Sequence, residues 1–469
     1  MILRTSFLIT AVACLAGAAS CTSAGRGRMD TALPDSAAIR RDVAYLASDA
    51  LEGRATGSAG NDSAAAYIAR RFQALGLQPL LCDTGAAQAT RRIPIGAAIG
   101  VARGDTRTTR APRPRIEGKD CRGTYLQSFS TRSVAAAHAG VMATLTTQNV
   151  VAVVRGIDAT LRDEYLVIGA HFDHLGRMGF GVMDPDSASA IHNGADDNAS
   201  GTAAVLELAR LLASRPAARS VVFVTFSGEE LGLLGSQYFV DHPPMAIGQV
   251  VAMLNFDMVG RLKDERLIVY GVATADEFAG MLDSANVAPR FQLTATGDGF
   301  GASDHSSFYA KNLPVLHFFT DVHRDYHRST DDVASLNASG EARVVAMAER
   351  VLRTIANRPS RLTFRRPAAP AARMSTCRNN DVSLGSIPNM GASDVGGLQL
   401  SGVREGSPAQ KGGLAAGDIV VEFGGMPVKD IYMYTDALCN HRPGDTVKVV
   451  VRRNGELVTL SVTLGKRGS

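Results

Sequence analysis

The stretch Val222-Phe-Val-Thr-Phe-Ser-Gly-Glu-Glu-Leu-Gly-Leu-Leu-Gly-Ser236 decides the fold. Apolar β-branched and aromatic residues run up to Phe226 with almost no polar alternation, so a strand covered on both faces is expected. Gly228 stops it, two adjacent carboxylates follow, and a helix is expected over Leu231–Val240. Glu229 and Glu230 then stand at the carboxyl end of an interior strand, where open α/β sheets place their sites. As neighbours they point in different directions, so one can bind a metal while the other handles protons. Two acids in the first turn of a helix, stabilised by its dipole, are the other reading of the same pair.

Outward from this strand the elements alternate. Strands are expected at Asn149–Val154, Tyr165–Gly169, Ser220–Phe226, Val250–Leu254, Arg266–Tyr270 and Pro314–Phe319. Helices are expected at Ala203–Leu212, Ala275–Ser284 and over most of Val333–Ile355. The alternation predicts an α/β fold, a mostly parallel mixed sheet with helices on both faces. Upstream, Asp35–Ala50 has helical periodicity, and Leu51–Gly60 is a glycine-rich loop. No Lys-Ser/Thr follows that loop, so it reads as a structural loop near the site rather than a phosphate cradle. Asn61 is expected to cap the next helix, which Gly76 ends. Residues 82–121 form an Arg/Ala/Gly/Pro-rich excursion with no sustained period. A Pro/Ala/Arg-rich linker is expected over 358–380. Beyond it the pattern changes to short strands at Leu398–Val403, Ile419–Phe423, Thr446–Arg452 and Leu457–Leu464, with helices at Ser407–Leu414 and Ile431–Asn440. The expected division is a leader over 1–21, a tether over 22–34, a large domain over 35–357, the linker, and a small β-rich domain over 381–466.

The 469 residues suffice for one large and one small domain, and the net charge of +4 is small and dispersed, so no nucleic-acid partner is implied. Met1 to Cys21 reads as an export signal: Arg4 supplies the positive start, and Phe7–Ala16 an apolar core too short to span a bilayer. Ala18-Ala-Ser-Cys21 resembles a lipobox, with Ala18 where Leu is usual. It would make Cys21 a lipid anchor and the sole membrane contact of a periplasmic or envelope protein. The same small residues suit ordinary signal cleavage and secretion. Four further cysteines, Cys82, Cys121, Cys377 and Cys439, suggest disulfides after export. Three pairings are possible, and the domain division favours Cys82–Cys121 and Cys377–Cys439.

Five motifs fall at strand ends or beside them: His171-Phe-Asp-His174, Gly194-Ala-Asp-Asp-Asn-Ala-Ser-Gly201, Glu229-Glu230, Asn255-Phe-Asp257, and Tyr326-His-Arg-Ser-Thr-Asp-Asp332, with Ser303-Asp-His305 upstream of the last. Each is more often structural than catalytic when taken singly. Asp173, two residues from His171 on an extended chain, can orient the imidazole through its second nitrogen. Together they put histidines and several carboxylates on one edge of one sheet, a set suited to two zinc ions. With His171, Asp197, Glu230, Asp257 and His327 as ligands, three carboxylates (−3) and two zinc ions (+4) leave +1, which one hydroxide would neutralise. None of these positions is a cysteine, which disfavours a structural zinc.

These motifs resemble the co-catalytic zinc aminopeptidases, including the secreted bacterial leucine aminopeptidases and, more distantly, glutamate carboxypeptidase. The resemblance covers about Asp35 to Ile355. It implies a zinc exopeptidase fold in which His171 and Asp257 hold one zinc, Glu230 and His327 the other, and Asp197 bridges them. It further implies Glu229 as general base, Asp173 as a catalytic partner, and a cis peptide after Asp197. Arg328 departs from the family's usual Thr after the last histidine, and Tyr125–Asn149 is too short for a protease-associated insertion. Gly397-Leu-Gln-Leu-Ser-Gly-Val403, Gly406-Ser-Pro-Ala409 and Gly413-Leu-Ala-Ala-Gly-Asp-Ile419 resemble a circularly permuted bacterial PDZ domain. By that pattern a peptide carboxylate would sit near Leu384–Ile387, unless the domain is only a packed appendage. The expected function is an exported zinc-dependent aminopeptidase acting on peptides with a free N-terminus. A carboxypeptidase on the same fold and a peptide-binding PDZ protein with an inactive peptidase domain are the alternatives. A one-zinc glutaminyl cyclase fits the five-ligand set less well.

Overall fold

The computed structural model of the chain describes residues 33–83, 122–132, 144–177, 182, 190–297, 299–366, 382–388, 396–403, 406–429, 433–434, 437–438 and 440–466. The expected leader and nearly all of the tether and of the 82–121 excursion lie outside these residues, as do Cys121, Cys377 and Cys439 of the expected disulfides. Among the described residues no helix is long and apolar enough to cross a membrane.

The large domain is built on a nine-stranded mixed sheet. Its strands are β1 (Gln78–Pro79), β2 (Leu126–Arg132), β3 (Thr144–Val154), β4 (Tyr165–His171), β5 (Ser220–Phe226), β6 (Val250–Phe256), β7 (Arg266–Tyr270), β8 (Gln292–Ala295) and β9 (Val315–Phe319). They stand in the order β1-β3-β5-β4-β6-β9-β7-β8, with β2 also paired to β3. The central four, β5, β4, β6 and β9, run parallel, while β3 is antiparallel to β5 and β7 to β9. Every residue of β4, β5 and β6 is buried, which is why their sequences lack polar alternation.

Alternate side chains of one strand enter two cores. Val221 and Phe223 of β5 pack with α1 (Ser36–Leu46), α2 (Ala59–Ala74), α3 (Gly201–Ser214), α5 (Phe278–Ala285) and α7 (Ala338–Asn357). Val222, Val224 and Phe226 pack on the other face with Phe239 of α4 (Leu234–Asp241) and Phe308 of α6 (His305–Tyr309). With both faces covered, the parallel strands leave their carboxyl ends as the place where polar side chains gather.

Several local expectations change. The helix after β5 begins at Leu234, not Leu231. Gly228, Gly232 and Leu233 all have positive φ (84°, 104° and 61°), so Glu229 and Glu230 lie in a turn and not in a helix's first turn. The dipole reading of the pair is therefore set aside. Ser58, not Asn61, caps α2 by accepting from the Asn61 N–H, and Asn61 is buried. The last long helix starts at Ala338 behind a short helical turn at Val333–Ser335, because Asn337 caps it by accepting from the Gly340 N–H. Strands β1, β2 and β8 lie outside the expected set. In β2 the buried side chains are Gln127, Phe129 and Thr131, so polar residues hide its period. In β8, at the end of the sheet, the pattern is mostly exposed.

The packed body also runs past Asn357. Leu362 joins the main core, Phe364 bridges Ala275, Arg365 pairs with Asp276, and the Arg366 guanidinium lies 5.0 Å from the Tyr309 ring centre. The small module has a six-stranded antiparallel sheet running Ser386–Pro388, Leu398–Val403, Ile419–Phe423, Thr446–Arg453, Glu456–Thr463, with Met426–Pro427 on Ile419–Phe423. Its own apolar core includes Leu398, Val420, Phe423, Val449 and Val462. Its short helix is Pro408–Lys411, capped by Ser407.

Candidate active site

His171 is the last residue of β4, Glu229 and Glu230 follow β5 by three and four residues, and Asp257 follows β6 directly. Asp197 lies just before α3, and His327 lies in the loop after β9. The sheet register brings these ends side by side: His171 pairs with Phe226, and Gly169 with Asn255. His171 Nε2 is 3.4 Å from Asp197 Oδ1, 3.4 Å from Asp257 Oδ1 and 4.0 Å from Glu229 Oε2. His327 Nε2 is 3.2 Å from Asp197 Oδ2 and 3.3 Å from Glu230 Oε2. The two oxygens of Asp197 thus face the two imidazoles, the placement a bridging carboxylate needs.

Each of these side chains is held from behind. Asp173 Oδ1 accepts from the Glu229 N–H at 3.2 Å and lies 3.7 Å from His171 Nδ1. Ser303 donates to Asp257 Oδ2 at 2.7 Å, and the Asn255 amide donates to Ser303 Oγ at 2.7 Å. Asp331 Oδ2 accepts from the Asp196 and Asp197 N–H groups, both at 3.0 Å, and its carbonyl accepts from the Ala195 N–H. The Asp197–Asn198 peptide is cis, as the resemblance implies. The Asn198 amide donates to the Phe256 carbonyl, tying the Asp197 loop to the end of β6.

The electrostatics of the cluster follow from burial among carboxylates. Burial opposes charging of His171, but Asp257 and Glu229 outweigh it and lift the imidazole well above its ordinary range. Glu230 and Asp197 do the same for His327 against its burial. Burial, with the like charges of Glu230, Asp304 and Asp257, pushes Glu229 well above the usual carboxylate range, although His171 opposes it. A buried site that pulls protons onto two imidazoles and one carboxylate is short of positive charge. Divalent cations replacing those protons would meet the demand. Donor atoms of His171, Glu229 and Asp257, and of His174, Asp197 and Glu230, lie within 4.8 Å of one another in each group. Imidazole nitrogen and carboxylate oxygen are the donor chemistry zinc accepts, so the residues fit that ion.

Residues 149–352 match the family described as Peptidase family M28, and residues 380–464 match the PDZ domain family. The chain carries an M28 peptidase domain and a C-terminal PDZ domain. The M28 domain is similar to "Aminopeptidase YwaD" of Bacillus subtilis, 32% identical over 155 residues, which cover 31% of this chain and 34% of that protein. It is also similar to "Leucine aminopeptidase 2" of Trichophyton rubrum, 27% identical over 221 residues, 41% of each chain. The chain thus spans about a third to two fifths of the length of these curated relatives. Its fold matches a Zn-dependent exopeptidase from Parabacteroides distasonis with a TM-score of 0.51 at 17% identity, over 70% of this chain and all of that one (100%).

The structure adds residues to the M28 site that the motifs alone did not single out. His174, the last residue of the first motif, is 2% exposed, and its Nδ1 is 2.8 Å from Glu230 Oε1. Its only sequence signal was proximity to His171. Tyr326 stacks on His327 with ring centres 3.9 Å apart. Tyr326 also packs, with Tyr270 and Val322, against the buried trio Met258, Ile268 and Phe319, so apolar surface adjoins the polar cluster. Asp304, of the Ser303-Asp-His305 motif, is fully buried, and burial raises its carboxyl to about 7. Arg54 is also fully buried, on the loop that the sequence placed near the site.

Proposed function

We propose that the protein is an exported, zinc-dependent aminopeptidase that removes N-terminal residues from peptides. The observation that carries the reading is the convergence of His171, His327 and Asp197, with Asp257 on one side and Glu230 on the other, while Glu229 stands farther off, 4.0 Å from His171 Nε2. In this reading His171 and Asp257 would hold one zinc, Glu230 and His327 would hold a second, and Asp197 would serve both. Bound there, the two ions would supply Lewis acidity toward a scissile carbonyl and favour ionisation of water near neutral pH. Glu229 is the general base: it accepts the proton of the attacking water and delivers it to the leaving amine. Asp173 orients both partners: its carbonyl lies 3.2 Å from His171 Nδ1, and its carboxylate accepts from the Glu229 N–H.

Aminopeptidase is favoured over carboxypeptidase because the similar curated proteins are aminopeptidases, and two arginines near the cluster, Arg54 and Arg261, are already engaged. Arg261 lies 3.1 Å from Asp325 and 3.4 Å from Asp331, and Arg54 donates to backbone carbonyls. The PDZ module is proposed to receive a peptide C-terminus by strand addition. Ser386–Pro388 lies at an end of its sheet, and Gly385, with φ of 75°, forms the adjoining turn. The test compares free-amine, N-blocked and free-carboxylate dipeptides, with zinc added and with a chelator. Zinc-dependent cleavage of the free-amine substrate alone is expected. Cleavage that requires a free carboxylate would make the protein a carboxypeptidase, and no cleavage at full zinc occupancy would leave a peptide-binding protein.

A further inference from the structure

The segment Asp49–Asn61 precedes the residues matched to the M28 family, yet it touches the ends of β4 and β5 and the loop that leads into Asp197. The Arg54 guanidinium donates to the carbonyls of Phe172 at 2.8 Å, Asn193 at 2.6 Å and Gly194 at 3.0 Å, and also to that of Leu46. Phe172 follows His171, and Asn193 and Gly194 lead into Asp197. One planar cation therefore spans the loops of two proposed ligands, with the end of α1 behind it. The Arg54 carbonyl accepts from the His174 N–H at 3.3 Å, and the Gly53 carbonyl from the Gly176 N–H at 3.1 Å. Gly53 has φ of 68°, and a Cβ there would lie 2.3 Å from the His192 carbonyl oxygen, so the contact needs glycine.

Two residues on, Thr56 Oγ1 donates to Asp173 Oδ2 at 2.7 Å. The other oxygen of Asp173 accepts from the Glu229 N–H. Asn61 Oδ1 accepts from Ser227 Oγ at 3.1 Å, below the turn that bears Glu229 and Glu230. Arg54 is wholly buried, and the carboxylates around it are Asp173, Asp197, Asp331 and Glu230. Burial lowers its guanidinium to about 10, so it remains charged at neutral pH.

We infer that Arg54 and Thr56 are positioning residues of the metal centre, setting from a remote segment the spacing of the loops that carry His171, Asp197 and Glu229. The inference rests on the zinc reading above. An arginine suits the task because its rigid fork of five N–H groups serves four carbonyls from three segments, more acceptors than the three N–H groups of a lysine ammonium can meet. A hydroxyl at position 56 fixes the residue whose carbonyl lies 3.2 Å from His171 Nδ1 and whose carboxylate accepts from the Glu229 N–H.

The test uses the full chain with Thr56→Val, Thr56→Ser and Arg54→Lys. Zinc affinity is measured by competition with a chelator of known affinity, beside kcat, KM and the melting midpoint of chelator-treated protein. Thr56→Val is expected to weaken zinc binding by about 10–100-fold and to lower kcat with KM near wild type. Its melting midpoint without zinc should stay near wild type, and Thr56→Ser should restore affinity. Arg54→Lys is expected to weaken zinc binding at least as much. Wild-type zinc affinity in a folded Thr56→Val protein would overturn the inference while leaving the peptidase reading intact. A wild-type protein that takes up no zinc would overturn both. Should Arg54→Lys fail to fold, the Thr56 pair decides alone.

Discussion

Replacing Glu229 by Gln keeps the size of the side chain and removes its capacity to carry a proton. The side chain is 12% exposed and lies 4.0 Å from His171 Nε2, whereas Asp197 and Asp257 both lie 3.4 Å from that nitrogen. The five proposed ligands keep their partners in this variant, so zinc content should be unchanged and substrate binding should change little. A positioned general base contributes about 10²–10⁴ in rate, equivalent to roughly 2.7–5.4 kcal/mol of barrier, and turnover should fall by at least the lower figure. Glu230→Gln should behave differently. It removes a negative charge 3.3 Å from His327 Nε2 and 2.8 Å from His174 Nδ1, so it should cost zinc directly. The assay counts zinc per chain in both purified variants and measures kcat on a free-amine dipeptide. Loss of zinc from Glu229→Gln with both ions kept by Glu230→Gln would reverse the assignment. Full turnover of zinc-loaded Glu229→Gln would refute the mechanism.

Ser303→Ala removes the donor to Asp257 Oδ2 and should lower zinc affinity by about 10–100-fold, read by chelator competition; unchanged affinity would mean the bond does not orient the ligand. Truncation after Arg366 should leave most dipeptidase activity. Truncation after Asn357 should lower the melting temperature, because it removes Leu362 and the Phe364–Ala275 contact. Phe223→Ala, at a fully buried position of β5, should cost about 3–5 kcal/mol in urea unfolding of the catalytic domain. Glu341 in α7 is fully buried, both its carboxylate oxygens lack a hydrogen-bond partner among the described residues, and burial, then Asp196, raises its carboxyl well above the ordinary range. The folded protein therefore keeps that proton where the unfolded chain has lost it, and stability falls as pH rises from the ordinary carboxyl range toward the raised value. Glu341→Gln should raise the melting temperature at neutral pH and make no difference in acid, where both forms are neutral. A neutral-pH melting temperature no higher than wild type would count against the buried charge.

The buried central strands of the sheet and the kind of chemistry at its edge can be read from the sequence alone. β4, β5 and β6 are legible because a strand buried on both faces must be apolar throughout, and that composition is local. His171, Glu229 and Asp257 are legible because each sits at or just beyond such a strand, so finding the strand finds the residue. Polar β2 and exposed β8 carry no such mark, and they were found only by their pairing with β3 and β7. The helix expected from Leu231 failed because three positive-φ residues hold a turn that periodicity does not register. Meetings between distant segments emerge only from the folded chain. His174 reaches Glu230 across 56 residues, and Arg54 reaches Gly194 across 140. Nothing near Arg54 in the chain says that its guanidinium will be buried, because the carbonyls that satisfy it come from loops assembled by the sheet. Local pattern reports how much of a residue is covered, and only the closed chain reports what covers it.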